Sequence, residues 1–383
     1  MDHQNLLYTK TSSRENIMKQ LKIFIFLIGI FSSTFAFSST EGAGASKGPA
    51  KEEALELLKT SLEQLETFLE KPNSKSVAKT HTILHLLNTG KIPGIREAFL
   101  FDDEFAYITS LGLSLVEEFF KKEQGSSWTE AEITYYSYEK IINYLLKNQE
   151  RDKEGEYFII NYNDPDSPDP HLTPVAVSFR ENDIDIFLFD SIGIKKNSHL
   201  LDELERLLVE LNESSPLSKK FNFFFSSQER QKDSFSCPVF SYIDIRNLVE
   251  INFLEDPKIQ NILKENSPLH KTISETISFY SMDILPPLLM RKCQSCKAIQ
   301  KMDSETAELE FQDVYVLRRS FDGSESLIRR EASNYLDLLL MKHGLHNLTN
   351  SDKIRNFYTQ KKWLKFVNMI LLSLQEKLEI ICL

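Results

Sequence analysis

Gln231–Phe240 reads QKDSFSCPVF, and it marks the place where a strand gives way to a helix. Before it, Phe221–Phe225 (FNFFF) reads as a strand. After it, a helix runs from about Cys237 to Phe253, with Pro238 in the first turn, where a missing N–H costs little. Working back from this stretch, Pro174–Phe179 (PVAVSF) and Ile184–Phe189 (IDIFLF) read as two strands joined by a turn at Glu181–Asn182–Asp183. In such a hairpin the start of one strand lies opposite the end of the other. His171, just ahead of the first strand, therefore comes close to Asp190, just past the second.

A cysteine attacks as its thiolate, so a nucleophilic Cys237 needs both a charge-stabilising site and a base. The N-terminus of its helix offers N–H groups and a positive dipole end. His171 is the candidate base, and Asp190 the carboxylate that would fix its tautomer. Gln231 is positioned to offer a side-chain N–H to a developing oxyanion. Each residue alone has an ordinary explanation. A cysteine at a helix start is usually a small buried hydrophobe. A histidine at a loop–strand junction is usually a surface residue, and Asp190 before Gly193 reads as a turn. The joint arrangement, in the order His, Asp, Gln, Cys, is what points to chemistry.

Outward from this core the sequence turns helical. Segments at about 51–71, 74–89, 104–122 and 129–148 precede the strand Tyr157–Tyr162 (YFIINY) and the loop Asn163–Pro170. A helix at 198–213 separates the hairpin from FNFFF. Helices at 257–265 and 268–280, a strand at 313–318 and helices at 330–343 and 351–378 complete the chain. The expected fold class is α+β, with a small central sheet, a Cys-bearing helix and helical regions at both ends. The expected divisions are a leader and linker over 1–49, a helical region over 50–150, a catalytic core over 151–290 and a C-terminal regulatory region over 291–383.

The net charge of −11 over 383 residues excludes a nucleic-acid binder of the basic kind. Four cysteines, Cys237, Cys293, Cys296 and Cys382, are too few for a disulfide framework. Cys293 and Cys296 have the C-x-x-C spacing, but a structural zinc needs four ligands and no second pair follows, so no metal is expected. His81 and His85 share a helical face and read as ordinary helix residues. Ile23–Phe37 (IFIFLIGIFSSTFAF), preceded by Lys19 and Lys22, reads as a secretory signal peptide or, if retained, a membrane anchor. A flexible Ser/Gly/Ala-rich linker follows at 38–50.

YFIIN, His171, the strand ending FLFD and QKDSFSCPVFSYIDI together resemble the YopJ-type acetyltransferases, bacterial effectors that share the fold of the ubiquitin-like-protein cysteine proteases. The His-to-acid interval (190 − 171 = 19) and the Gln-to-Cys interval (237 − 231 = 6) fit that family. LPPLLMRKCQSCK, from Leu285, is similar to the family's Leu-Pro…Lys-His-x-Gln-Ser segment, with Lys292 in place of the His; Pro238 stands where Gly is usual. The resemblance covers about residues 156–300. It implies a cysteine-protease-clan-like core that carries acetyl from acetyl-coenzyme A on Cys237 to Ser, Thr or Lys of host proteins. It also implies secretion into a host cell and activation by inositol hexakisphosphate. For the cofactor and activator site it points to Arg291, Lys292, Gln294, Ser295 and Lys297, with help from Arg318, Arg319, Arg329 or Arg330. The same catalytic set serves a ubiquitin-directed cysteine protease, and a non-catalytic binding protein on this scaffold is a third reading.

Overall fold

The computed structural model describes residues 49–70, 72–88, 92–124, 134–151, 155–163, 170–193, 198–214, 217–290, 293–295, 298–299, 301, 315–319, 325–329 and 351–380. The run at 23–37, expected as a signal peptide or membrane anchor, and the expected helix at 330–343 lie outside these residues. Among the described residues no helix is long and apolar enough to cross a membrane.

The centre is a seven-stranded sheet. Its strands are β3 (Thr134–Tyr136), β4 (Gly155–Asn163), β5 (Pro170–Phe179), β6 (Asp183–Leu188), β7 (Lys220–Ser226), β8 (Leu269–Ser274) and β9 (Ile277–Met282), in the order β3-β4-β5-β6-β7-β9-β8. β5 runs antiparallel to both its neighbours, β4 and β6, while β6, β7 and β9 run parallel. Side chains alternate between the two faces of a strand, and here both faces are covered. Phe158, Ile160, Val175, Val177, Ile186, Leu188, Phe223 and Phe225 face one core with Ile141, Ile142 and Leu145 of α5 (Tyr138–Lys147) and Leu204 and Leu208 of α6 (Ser198–Ser214). Tyr157, Ile159, Leu172, Ala176, Phe187 and Phe224 face the other core, which holds α7 (Cys237–Glu250). Burial on both faces explains why FNFFF and IDIFLF are almost continuously apolar rather than alternating.

The second core extends into the helices from both ends of the chain. These are α1 (Pro49–Glu70), α2 (Ser74–Leu87), α3 (Ile95–Ala98), α4 (Ser110–Gln124) and the long α10 (Ser351–Ile380). Leu58, Leu62 and Leu65 of α1 belong to the same buried cluster as Trp363, Phe366, Ile370 and Leu374 of α10. α10 packs against α2, α4 and α7, so helices distant in sequence form one layer behind the Cys-bearing helix.

The sheet has three more strands than the four read from the core sequence. The segment 268–280, expected as a helix, is instead the hairpin β8–β9. Its β-branched and aromatic residues suit a pleated surface, and the Ser274 hydroxyl accepts the Thr276 N–H where the chain reverses. The helix expected over 129–148 begins only at Tyr138, because Ser137 caps it by accepting the Lys140 N–H; β3 precedes it. The helix expected over 104–122 begins at Ser110, after a short hairpin of β1 (Phe99–Phe101) and β2 (Ala106–Ile108). The strand expected at 313–318 is β10 (Tyr315–Arg319), paired with β11 (Glu325–Arg329). The helices near Lys51, Ser198, Cys237, Asp256 and Ser351 fall close to where their patterns place them, the fourth of these being α8 (Pro257–Glu265).

After β7 the chain crosses to α7 through 227–236, and Arg230 ties this crossing to its neighbours. The guanidinium lies 2.6 Å from Asp244 of α7, with both side chains fully buried. It also donates to Phe189 O at 2.6 Å and Leu289 O at 3.3 Å, and it stands over the Phe240 ring. Removing one partner of such a pair leaves a charge buried without compensation. Asp244→Asn is therefore expected to destabilise the fold by roughly 3–5 kcal/mol in urea unfolding. A change of less than about 1 kcal/mol would show that the pair contributes little.

Candidate active site

The site forms where β5 begins and β6 and β7 end. The antiparallel register sets Val175 against Leu188, and the Phe189 N–H continues the ladder to Pro174 O. That pairing brings His171 and Asp190 to the same edge, as the hairpin argument requires. His171 Nε2 lies 3.0 Å from Asp190 Oδ2, and both residues are buried. The carboxylate is itself held: Oδ1 accepts the backbone N–H groups of Ile192 at 2.7 Å and Gly193 at 3.3 Å. Gly193 sits at φ +79°, and a Cβ there would come within 3.0 Å of the 227–228 backbone. The turn that aims Asp190 thus needs glycine at this position.

Cys237 opens α7 and is buried, with Pro238 in the first turn. One turn further on, the Ser241 hydroxyl donates to Leu172 O at 2.7 Å. This bond fastens the Cys237 face of the helix to the strand residue next to His171. The thiol is the second hydrogen-bond partner of the imidazole. Burial alone would drive the His171 ring towards its neutral form. The charge and hydrogen bond of Asp190, with a contribution from Cys237, outweigh burial and push its pKa up from 6.5 to about 10. The ring therefore holds its proton at neutral pH and supplies the counter-charge that a thiolate needs.

Gln231 is also buried in this group. Its Oε1 accepts from the Ser191 hydroxyl at 2.7 Å, and one of its two amide N–H groups donates to Asp233 O at 2.6 Å. Ser191 O accepts the N–H of both Arg230 and Gln231, at 2.8 and 2.9 Å. The Asp233 carboxylate caps the approach to α7 by accepting the Ser236 N–H and hydroxyl, each at 2.8 Å. Phe235 anchors the same turn in an aromatic group with His81, Trp363 and Phe105. His81 is a core residue: its Nδ1 accepts the Ala106 N–H, and burial followed by its neighbour His85 lowers its pKa to about 4.

The structure therefore brings His171, Asp190, Gln231 and Cys237 together. Gln294 is buried against the same turn, and Ser295 lies next to it, with its Oγ accepting the Ala298 N–H. Arg291, Lys292 and Lys297 lie outside the described residues, as does Arg330. Arg318, Arg319 and Arg329 fall on the β10–β11 hairpin. Among the described residues no group of three or more His, Cys, Asp or Glu side chains could hold a metal. Four supporting residues escaped the sequence reading: Ser191, Arg230, Ser241 and Asp244. A serine four positions after a candidate nucleophile was the one local signal, because it lies on the same helix face.

A family model described as YopJ Serine/Threonine acetyltransferase matches residues 118–351, over half of the chain. Similar solved structures include AvrA delL154 with IP6 and CoA. It is 14% identical, with 74% of this chain and 98% of that chain covered and a TM-score of 0.40. HopZ1a in complex with IP6 is 10% identical, with coverage of 82% and 97% and a TM-score of 0.43. HopZ1a with IP6 and CoA is 11% identical, with coverage of 83% and 99% and a TM-score of 0.39. A comparison with curated proteins gave no match.

The pairing at His171 makes a pH prediction. A histidine whose folded pKa exceeds its unfolded value adds stability that is complete below about 6.5 and lost as the pH rises through about 10. Asp190→Asn removes the charge that raises it and leaves burial dominant. The His171 ring resonances in NMR should then titrate below the ordinary histidine value, and the associated alkaline loss of stability should disappear. A ring still protonated at pH 8 in the variant would refute this assignment of cause.

Proposed function

The chain belongs to the YopJ Serine/Threonine acetyltransferase family, and from that premise we propose that it carries acetyl from acetyl-coenzyme A on Cys237 to Ser, Thr or Lys side chains of host proteins. The observation that supports this most directly is the buried His171–Asp190 pair with the Cys237 thiol on the same imidazole.

In this mechanism the Cys237 sulfur, paired with the His171 imidazolium, attacks the thioester carbonyl. Gln231 meets the developing oxyanion with its second amide N–H, beside the N-terminal end of α7. Collapse breaks the bond to the coenzyme's sulfur, which leaves with the proton from His171, and Cys237 is left as its S-acetyl form. His171, now neutral, takes the proton of the acceptor hydroxyl or amine as that group attacks the acetyl carbon. The product leaves acetylated, and the thiolate–imidazolium pair returns. Asp190 holds the ring in place and stabilises its charged form throughout.

AvrA and HopZ1a have been solved with IP6, and we extend an inositol hexakisphosphate activator to this chain. Such a dense anion requires clustered cations. The segment of Arg291, Lys292, Gln294, Ser295 and Lys297 is the candidate site for activator and coenzyme, supplemented by Arg318, Arg319, Arg329 and Arg330, with the buried Gln294 side chain serving through the turn it bonds to. Action inside a host cell requires export, which the run at 23–37 would serve as a leader.

The test is intact mass of residues 50–383 after incubation with acetyl-coenzyme A, with and without inositol hexakisphosphate, beside Cys237→Ala. An adduct of one acetyl group that needs Cys237 and increases with the inositol phosphate is expected. Absence of that adduct, with Cys237-dependent labelling by a ubiquitin-tail electrophile, would overturn the transferase reading in favour of a protease.

A further inference from the structure

We propose that Gln294 is a positioning residue for acyl transfer, acting from the segment after α9 (Pro287–Met290) on the turn that carries Gln231. The proposal rests on Cys237 being the acyl acceptor. The observation behind it is the density of bonds that Gln294 makes to one short stretch. Its backbone N–H donates to Arg230 O at 2.8 Å. Its Oε1 accepts the N–H groups of Lys232 and Asp233, and its Nε2 donates to Asp233 Oδ2 at 2.6 Å. One buried residue, some sixty positions away in sequence, therefore holds the chain on both sides of Gln231: its backbone at Arg230 and its side chain at Lys232 and Asp233.

The consequence for Gln231 follows from the bonds already described. Its amide is oriented at two points: the Ser191 hydroxyl fixes Oε1, and Asp233 O fixes Nε2. Ser191 follows β6 and Gln294 follows α9, so the turn is held from two separate segments of the chain. Losing the Gln294 side chain leaves the Lys232 and Asp233 N–H groups without this acceptor and takes one of the two donors from Asp233 Oδ2, which keeps the Ser236 hydroxyl. Asp233 then loses the restraint that keeps its carbonyl on Gln231. A displacement of about 1 Å at such a site costs on the order of a hundredfold in rate. His171, Asp190 and Ser241 reach Cys237 through β5 and α7 and do not depend on Gln294. Loss of Gln294 should thus weaken attack on a carbonyl, which needs the oxyanion donor, and spare simple alkylation of the thiol, which does not.

The test compares wild type, Gln294→Ala and Gln294→Glu in the full chain. Acylation of Cys237 is followed by intact mass with acetyl-coenzyme A and separately with p-nitrophenyl acetate; alkylation of Cys237 by iodoacetamide is measured in parallel. Gln294→Ala should lower acylation by at least about tenfold and leave alkylation within about twofold. Gln294→Glu puts a second carboxyl against Asp233. The groups bonded to that carboxylate are Gln294, Ser236 and the Phe235 N–H, none of which ionises. Two adjacent carboxyls keep one proton between them at acid pH and repel once both ionise. Acylation by Gln294→Glu, relative to wild type at each pH, should therefore recover towards pH 5 and fall towards pH 9, while Gln294→Ala stays low throughout.

Wild-type acylation in Gln294→Ala would overturn the proposal. Equal loss of acylation and alkylation would also overturn it, since that marks a merely structural role. If wild type accepts acetyl from p-nitrophenyl acetate and not from acetyl-coenzyme A, the coenzyme reading fails and the Gln294 comparison stands on the ester. If it accepts acetyl from neither, both readings fail.

Discussion

A buried guanidinium holds the two halves of the candidate site in one frame. Arg230 meets Asp244 on α7, Phe189 O at the end of β6 and Leu289 O in α9. Phe189 immediately precedes Asp190, and Arg230 immediately precedes Gln231. The backbone that aims the acid and the backbone that aims the amide are thus fixed to the same cation. The contact with Asp244 is a close charge pair, and the well-aligned hydrogen bonds of the guanidinium go to the carbonyls. Such a group is expensive to bury, and an apolar core of similar volume is often equally stable. Its retention here is best understood through position: an arginine fork meets three elements at fixed angles, which apolar packing cannot do.

The rest of the architecture keeps that frame rigid. A sheet covered on both faces leaves its central strands no freedom to shift register, since a slip of one residue would exchange the two cores. α7 is fastened to β5 by Ser241 and packed from behind by α10. The aromatic group of Phe235, His81 and Trp363 carries this support to within two residues of Cys237. The N-terminal and C-terminal helices therefore act on the site through packing, without contributing a group to the chemistry described.

How much of this was legible in the sequence depended on whether the signal was local. The hairpin of β5 and β6 was legible because a turn of charged and polar residues separates two apolar runs, and it placed His171 beside Asp190. The strand–turn–helix around Cys237 was legible for a similar reason. β8 and β9 were misread because 268–280 carries no strong turn residue and its exposed strand gives no apolar alternation. β3 is three residues long and is made a strand by pairing with β4, which no local pattern reports. Arg230–Asp244 and Gln294–Asp233 join residues far apart in the chain. A charged residue in sequence reads as surface by default, so nothing local marked Arg230 as buried.

The most direct test of the account separates what Arg230 does for stability from what it does for position. Arg230→Met with Asp244→Leu replaces the pair by apolar groups of similar size. The measurement is the rate of acetyl transfer to Cys237 in this double variant, with its unfolding free energy taken alongside. The account predicts a protein more stable than Asp244→Asn alone, yet slower in acetyl transfer than wild type by at least about tenfold. A double variant that folds and transfers acetyl at the wild-type rate would contradict it, and would reduce Arg230 to a packing residue.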